Sequence, residues 1–326
     1  MRVLAGDLGG TKTRLGLFES DGGDPRLLEE KVFASEDHEG LGEIVAEFLE
    51  GSAGECGAAC FGIAGAVTGR RVRLTNLPWE VDADDLAERS GIPEVHLIND
   101  LEATAWGLPL IGEDGRHVLN AGREGAVGNQ AVIAAGTGLG EAGIYWDGQE
   151  LHPFASEGGH ASFSPTDELV GGLMRFLRRK YETVSWERVV SGPGLVDLYR
   201  YLHELAGTSP PEWFEEAERE GDAAAAMSKA ALEDRCHVCS RALELFARLY
   251  GEEAGNLALK MLATGGVWVG GGIAPKILPA LTGGAFMMGF TAKGRMRPLL
   301  EAMPVTVVLD DRAALFGAAR YAAVNS

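Results

Sequence analysis

Apolar residues along the chain follow two patterns. Short unbroken runs have the look of buried strands. Between them, apolar residues recur every third or fourth position, as on one face of an amphipathic helix. Val3 to Ala5 is the first run and Leu15 to Phe18 the second, with a glycine-rich turn between them. Residues 21–30 read as a polar hairpin turn, and Lys31 to Ala34 as a third strand. Leu41, Ile44, Val45, Phe48 and Leu49 share one helical face. Ala58 to Gly65 is a buried strand running into glycine, and Arg71 to Leu74 alternates like a strand. Asp82 to Ser90 is a helix closed by Gly91 and followed by Pro93. Val95 to Ile98 is a buried strand ending on Asn99-Asp100, after which Leu101 to Trp106 begins a helix.

Gly107-Leu108-Pro109 is a plausible boundary, and after it the opening pattern returns. Gln130 to Ala135 is a strand, Gly136-Thr137-Gly138-Leu139-Gly140 a turn, and Ala142 to Trp146 a return strand. Ser156 to His160 is a loop. Helices are expected over Leu169 to Tyr181 and Leu195 to Leu205, with a helix start and a break over residues 184–194. Residues 207–222 read as polar and loop-containing. Two long helices follow, Ala223 to Tyr250 and Glu252 to Leu262, parted at Gly251. A strand from Gly266 runs into Gly270-Gly271-Gly272. Val305 to Val308 is the last strand, and Ala313 to Val324 a closing helix with a small-residue face at Ala314, Gly317 and Ala318. Such alternation predicts an α/β layer fold with a partly parallel sheet. Polar residues at the carboxyl ends of its strands would face the ligand crevice. The repeated strand, glycine turn, strand unit predicts two related lobes.

Composition narrows the function. The chain has 326 residues, 46% apolar and 24% charged, the profile of one large or two ordinary globular domains. No run approaches the roughly 18 apolar residues of a membrane span. A net charge of −19 argues against nucleic acid or an anionic membrane as partner. It leaves ATP open, because magnesium and backbone N–H groups can meet that charge locally. The chain enters its first strand without a signal-peptide pattern, so a cytoplasmic location is expected. Four cysteines are too few for a disulfide framework. Cys236-x-x-Cys239 has the spacing of half a zinc site, but it lies in a helical stretch with no second Cys/His pair nearby, so reduced thiols are expected.

The first turn reads Gly6-Asp7-Leu8-Gly9-Gly10-Thr11-Lys12. Glycines let the backbone bend and let a ligand come close, and such a turn can aim N–H groups at a phosphate. Asp7 could hold magnesium directly or through water, and Thr11 adds a hydroxyl donor. The plainer alternative is a tight hairpin. A P-loop does not fit: Thr11 stands where its second glycine belongs, and the turn leads into a strand rather than a helix. The dinucleotide fingerprint is also absent. Strand, Asp-x-Gly-Gly-Thr, strand resembles the first phosphate loop of the actin, hexokinase and Hsp70 ATPase superfamily.

The resemblance becomes close when the blocks are taken together. These are Gly6 to Thr11, Thr75-Asn76, Ile98-Asn99-Asp100, Gly136 to Gly140, Glu157-Gly158-Gly159-His160, Glu187 to Gly194 and Gly270 to Gly272. In this order and spacing, across essentially the whole chain, they resemble the bacterial ATP-dependent glucokinases. Residues 161–166 lack the cysteine-rich zinc motif usual in the related repressor-linked sugar kinases, which favours the zinc-free group. Lys12 departs from the asparagine common there; it either adds positive charge near the phosphates or is simply solvated.

The resemblance implies a two-lobed actin-like ATPase (ribonuclease H-like) fold. A small domain over residues 1–110, rejoined by the C-terminal helix within 301–326, would close on a large domain over 111–300, with ATP and sugar in the cleft. It implies transfer of phosphate from Mg-ATP to the 6-hydroxyl of D-glucose, in a homodimer. The nucleotide would lie on Gly6, Asp7, Leu8, Gly9, Gly10, Thr11, Gly136, Thr137, Gly138, Gly271 and Gly272, with magnesium at Asp7. The long helices between 223 and 262 would supply either an interface or core.

Sugar hydroxyls are bound by carboxylates, amides and imidazoles through directional hydrogen bonds. Asn99, Asp100, Glu157, His160 and Glu187 offer such groups, and the resemblance assigns all five to glucose. Singly, each has a plainer role: a helix cap for Asn99-Asp100, surface acids for Glu157 and Glu187, a structural histidine for His160. Asp100 is the candidate base, at the rigid end of a buried strand beside a sugar-binding amide. Three other readings stay open: a kinase of another hexose or N-acetylhexosamine, a sugar-responsive repressor, and an actin- or Hsp70-like ATPase. The chain starts at its first strand where a repressor would carry a DNA-binding helix-turn-helix.

Overall fold

The computed structural model describes residues 1–50, 56–65, 67–74 and 77–326. Thr75 and Asn76 lie outside them. Two units emerge, one of residues 1–115, 153–155 and 310–326, the other of 116–152 and 156–309. The chain begins with β1 (Arg2–Leu8), β2 (Lys12–Glu19), β3 (Arg26–Ala34), α1 (Leu41–Phe48), β4 (Cys56–Ile63), β5 (Arg71–Arg73), β6 (Glu80–Asp82), α2 (Ala83–Ser90), β7 (Glu94–Asn99) and α3 (Asp100–Gly107). Then come β8 (Arg116–Asn120), β9 (Gln130–Ala135), β10 (Leu139–Trp146), β11 (Leu151–Ser156), α4 (Glu168–Leu177), α5 (Gly192–Leu205), α6 (Glu212–Arg219), α7 (Ala223–Leu232) and α8 (His237–Met261). The last elements are β12 (Gly266–Gly270), α9 (Leu278–Thr282), α10 (Ala285–Thr291), α11 (Arg297–Glu301), β13 (Val305–Val308) and α12 (Ala313–Val324).

The two larger sheets repeat one plan. In the first the order is β3-β2-β1-β4-β7; in the second it is β11-β10-β9-β12-β13-β8. β1 pairs antiparallel with β2 and parallel with β4, as β9 does with β10 and β12. The glycine turns at Gly9-Gly10 and Gly136–Gly138 are therefore hairpin tips beside the centres of their own sheets.

β1 is apolar on both faces because both are covered. Its side chains alternate across the sheet. Val3 and Ala5 pack with Ala314, Leu315, Ala318 and Ala322 of α12, while Leu4 and Leu8 pack with Leu41, Ile44 and Val45 of α1. The small face of α12 has a geometric reason: a Cβ at Gly317 would overlap the Ala103 carbonyl, and one at Gly107 the Ala313 carbonyl. α3 and α12 thus cross almost backbone to backbone. α2 starts where Asp82 accepts the amides of Asp84 (2.9 Å) and Asp85 (3.3 Å), and ends at Gly91 with φ of 73°.

Several expectations are corrected. The turn placed at 21–30 is shorter, for β3 already runs from Arg26 in register with Glu19 of β2. The stretch 207–222 includes the expected loop but also α6, whose Phe214 is buried against Tyr199 with ring centroids 4.6 Å apart. The helix break is not at Gly251. Gly251 sits inside α8, where a Cβ would overlap the Phe286 carbonyl of α10. The break lies between α7 and α8, at Asp234 with φ of 52°. Cys236 is therefore not inside a helix but caps α8, its Sγ accepting the Cys239 amide at 3.2 Å. All four cysteines are free thiols.

Candidate active site

The β1–β2 hairpin carries the first set of candidate residues. Gly9 N donates to Lys12 O at 2.9 Å, and Ser35 N to Thr11 O at 3.0 Å, leaving the Thr11 side chain exposed. Gly6 has a packing reason of its own, since a Cβ there would overlap the Phe61 ring. Leu8 is buried in the core, so only its backbone can serve a ligand. Gly10 completes the tip. Asp7 stands opposite Arg14 across the ladder. Arg14 grips Asp311 with both terminal nitrogens, at 3.1 and 2.8 Å, and reaches Glu30 at 3.4 Å. Burial pushes the Asp7 carboxyl up to about 6; Arg14 pulls it down and Asp311 raises it further.

The second hairpin is tied to the acids and histidine expected at the sugar. Gly136 N donates to Gly138 O at 2.8 Å, and Gly192 N, opening α5, to Gly136 O at 2.9 Å. Thr137 is exposed at the tip. Glu187 Oε2 accepts the Leu139 amide at 3.3 Å and fills the space where a Gly138 side chain would go. His160 lies between two carboxylates, Nδ1 at 3.9 Å from Glu187 and Nε2 at 3.8 Å from Glu157. Both distances are too long for hydrogen bonds, so the facing polar atoms are not committed to one another. The intervening loop is seated on β10: a Cβ at Gly159 would overlap the Leu139 carbonyl, and one at Gly158 the Glu141 carboxyl.

Asn99 and Asp100 lie where β7 passes into α3. Asn99 is buried and heavily engaged. Its Oδ1 accepts the amides of Leu101 (2.9 Å) and Glu102 (3.2 Å), and its Nδ2 donates to Gly65 O (3.0 Å). The cap is therefore present whatever else this residue does. Asp100 Oδ1 accepts the Leu101 amide at 2.9 Å, which holds the carboxylate at a helix N-terminus.

Gly270 ends β12, and Gly271 turns with φ of 82°; a side chain there would overlap the Ala135 carbonyl. Gly272 has open space around it. Tyr250, which the sequence did not single out, joins these parts. Its buried hydroxyl accepts the Ala135 amide at 3.0 Å and faces the carbonyls of Gly270 (3.1 Å) and Ile133 (3.2 Å). Nothing local marks it beyond an aromatic with a polar tip in an apolar helix. Glu141 was also missed, although an acid inside a buried strand is a visible signal. A depression of about 510 Å³ lined by Arg175, Phe176, Arg179 and Tyr201 among others shares none of these residues.

Among the described residues no cluster of three His, Cys, Asp or Glu side chains could hold a metal, and no helix is long and apolar enough to cross a membrane. A single carboxylate such as Asp7 would suit only an ion that brings most of its own ligands, as magnesium on a nucleotide does.

Two sheets of one plan, one with a glycine hairpin between β1 and β2 and the other with one between β9 and β10, define the two-lobed actin-like fold of the sugar kinases. A glucokinase from an Antarctic psychrotroph superposes with a TM-score of 0.86 at 31% identity, covering 100% of this chain and 99% of its own. A ROK family glucokinase from Streptomyces griseus, solved with glucose and AMPPNP, shares the fold at a TM-score of 0.64 and 22% identity over 99% of each chain. The glucokinase of Nostoc punctiforme is 41% identical over 336 residues, 98% of both chains. The family model described as Glucokinase matches residues 4–325, and the chain belongs to the glucokinase family.

Proposed function

We propose that this chain transfers the γ-phosphoryl of Mg-ATP to the 6-hydroxyl of D-glucose, giving glucose 6-phosphate and ADP. The observation that carries the reading is Glu187. One of its carboxylate oxygens holds the backbone of the Gly136–Gly138 hairpin while the other faces His160. A phosphate-type turn and a set of sugar-type groups thus meet at one side chain.

In this reading Gly6, Asp7, Leu8, Gly9, Gly10, Thr11, Gly136, Thr137 and Gly138 receive the phosphates, and Gly271 and Gly272 border the adenosine. Asn99, Asp100, Glu157, His160 and Glu187 orient the sugar. Asp100 accepts the hydroxyl proton as the oxygen attacks; its hydrogen bond to the Leu101 amide holds the carboxylate in place. Transfer of this kind is mostly positioning and charge stabilisation. Magnesium, carried with the nucleotide, would neutralise developing phosphate charge, and Asp7 would anchor it or its waters. The two units serve as the small and large domains of the fold. The protein works in the cytoplasm as a homodimer, without nucleic acid or membrane as partner. The buried faces of α7 and α8 are filled within the chain, which supports reading those faces as core.

A coupled assay for ADP with ATP and a panel of hexoses tests the activity. Glucose-dependent turnover that requires magnesium is expected; ATP hydrolysis indifferent to every sugar would sink the reading. Sedimentation at micromolar concentration tests the dimer.

A further inference from the structure

Glu141 is a charged residue type in the middle of buried β10, only 1% exposed, and its Oε1 has no hydrogen-bond partner among the described residues. It is not an isolated oddity. Its other oxygen packs directly on the Cα of Gly158, in the loop that carries Glu157 and His160. The loop is also short of slack. Gly158 N donates to Ser156 Oγ at 3.0 Å, His160 N to Glu157 O at 3.0 Å, and Ala161 N to Gly158 O at 2.8 Å. Gly159 lies against the Leu139 carbonyl. The loop therefore rests on two points of β10, one of them a carboxyl group.

On its far side Glu141 meets α8. Glu253, fully buried, is a like charge beside it. Glu253 is itself held by Asn256 Nδ2 (2.7 Å) and Lys260 Nζ (3.2 Å), and feels Lys293. Tyr250, on the same helix, also senses Glu141. Glu253 thus has cationic and amide partners, while the described residues give Glu141 only the Glu253 carboxyl as a side-chain hydrogen-bond partner and leave its Oε1 without one. Two carboxyls so placed cannot both ionise cheaply, and Glu141, which lacks the hydrogen bonds from Asn256 and Lys260 that hold Glu253, keeps the proton.

We propose that Glu141 is a positioning residue for the sugar subsite: in its neutral form it seats the Glu157–His160 loop, and its ionisation unseats it. This rests on the glucokinase reading for the identity of the ligand, but not for the mechanics of the loop. Burial, then Glu253, push the Glu141 carboxyl up to about 8, with Lys260 opposing. The neutral form therefore holds through pH 7 and is lost above about 8. A charge placed there beside the Glu253 carboxyl has to draw in water or move, and the Gly158 backbone lies directly against one of its oxygens.

The test uses the full-length enzyme and Glu141→Gln, which keeps the shape but cannot ionise. Between pH 7 and pH 9 the wild-type KM for glucose should rise by up to about tenfold, the factor for one pH unit beyond the titration. The KM for ATP should not follow it. In Glu141→Gln the glucose KM should be flat over that range. Should Glu141→Gln not fold, Glu253→Gln serves: removing the like charge moves the wild-type rise to lower pH. Amide exchange of residues 156–161, corrected for the intrinsic pH effect, needs no substrate. Protection should fall above pH 8 in wild type and persist in Glu141→Gln. Equal protection in the two proteins overturns the proposal, as does an unchanged glucose profile in the variant. Absence of turnover on glucose with the expected exchange result overturns only the functional reading.

Discussion

At the scale of single residues, two carboxylates have different surroundings and so different expected roles. Asp100 sits on the first turn of α3 with its Oδ1 on the Leu101 amide, which holds the carboxylate in place. Asp100→Asn keeps the size but cannot take a proton, and loss of a general base costs roughly 10²–10⁴-fold. Turnover should fall by that factor while ATP binding, read by calorimetry, survives. Near-normal turnover would remove Asp100 from the role. Asp7 is raised to about 6 by burial, with Arg14 opposing. Its anionic form is present above that pH and lost below it. The magnesium concentration needed for half-maximal rate should therefore climb as pH falls from 7 to 5, and Asp7→Asn should need more magnesium at every pH without that trend. A wild-type requirement that is level across the range would speak against Asp7 as the anchor.

At the scale of elements, the hairpins and helix crossings separate glycines that face a ligand from glycines that face the protein. A Cβ at Gly136 meets nothing within 4 Å, so Gly136→Val should fold and melt normally. Its methyls would project over the turn, and the KM for ATP should rise far more than that for glucose. The reverse pattern would take this hairpin out of the nucleotide site. Gly317 is the opposite case, with its missing side chain replaced by the Ala103 carbonyl of α3. Gly317→Ala must push two backbones apart, and overpacking of this kind costs about 1–3 kcal/mol. The melting temperature should drop by several degrees; an unchanged melt would mean that α12 can shift freely on α3.

At the scale of the whole molecule, buried acids set the pH response. Asp7, Glu102, Glu141, Glu252 and Glu253 are all raised, in each case chiefly by burial. A raised acid keeps its proton in the folded state after the unfolded chain has released it. Stability therefore falls as pH rises from the ordinary carboxylate value towards the folded one. Asp310, hydrogen-bonded to Arg312, and Asp311, hydrogen-bonded to Arg14, are lowered, and they add stability that is lost as pH falls through their folded values. The two trends oppose, so the melting temperature should peak in weakly acid solution, at about pH 5. A maximum at pH 8 or above would mean that these acids are solvated in the folded protein.

Much of this protein is written in its local sequence. The strand, glycine turn, strand pattern at Gly6–Thr11 and again at Gly136–Gly138 identified both hairpins, because hairpin tips and buried strands are specified by neighbours along the chain. Gln130–Ala135, Val305–Val308 and Ala313–Val324 have the limits that periodicity gave them, for the same reason. The family blocks pointed to the candidate residues by order and spacing. Local pattern misled wherever a partner distant in sequence decides. Gly251 looks like a helix breaker until Phe286 of α10 takes the place of its side chain. The polar stretch at 207–222 hides a helix because a single buried ring, Phe214, anchors it. Tyr250 joins the ends of β9 and β12, and Glu141 lies under the Glu157–His160 loop, only once the sheet and α8 are packed together. Short-range geometry is set by rotamers, turns and hydrogen bonds between near neighbours, and a sequence displays these directly. Close approach of distant backbones, and the charge state of an acid enclosed by them, exist only in the folded chain.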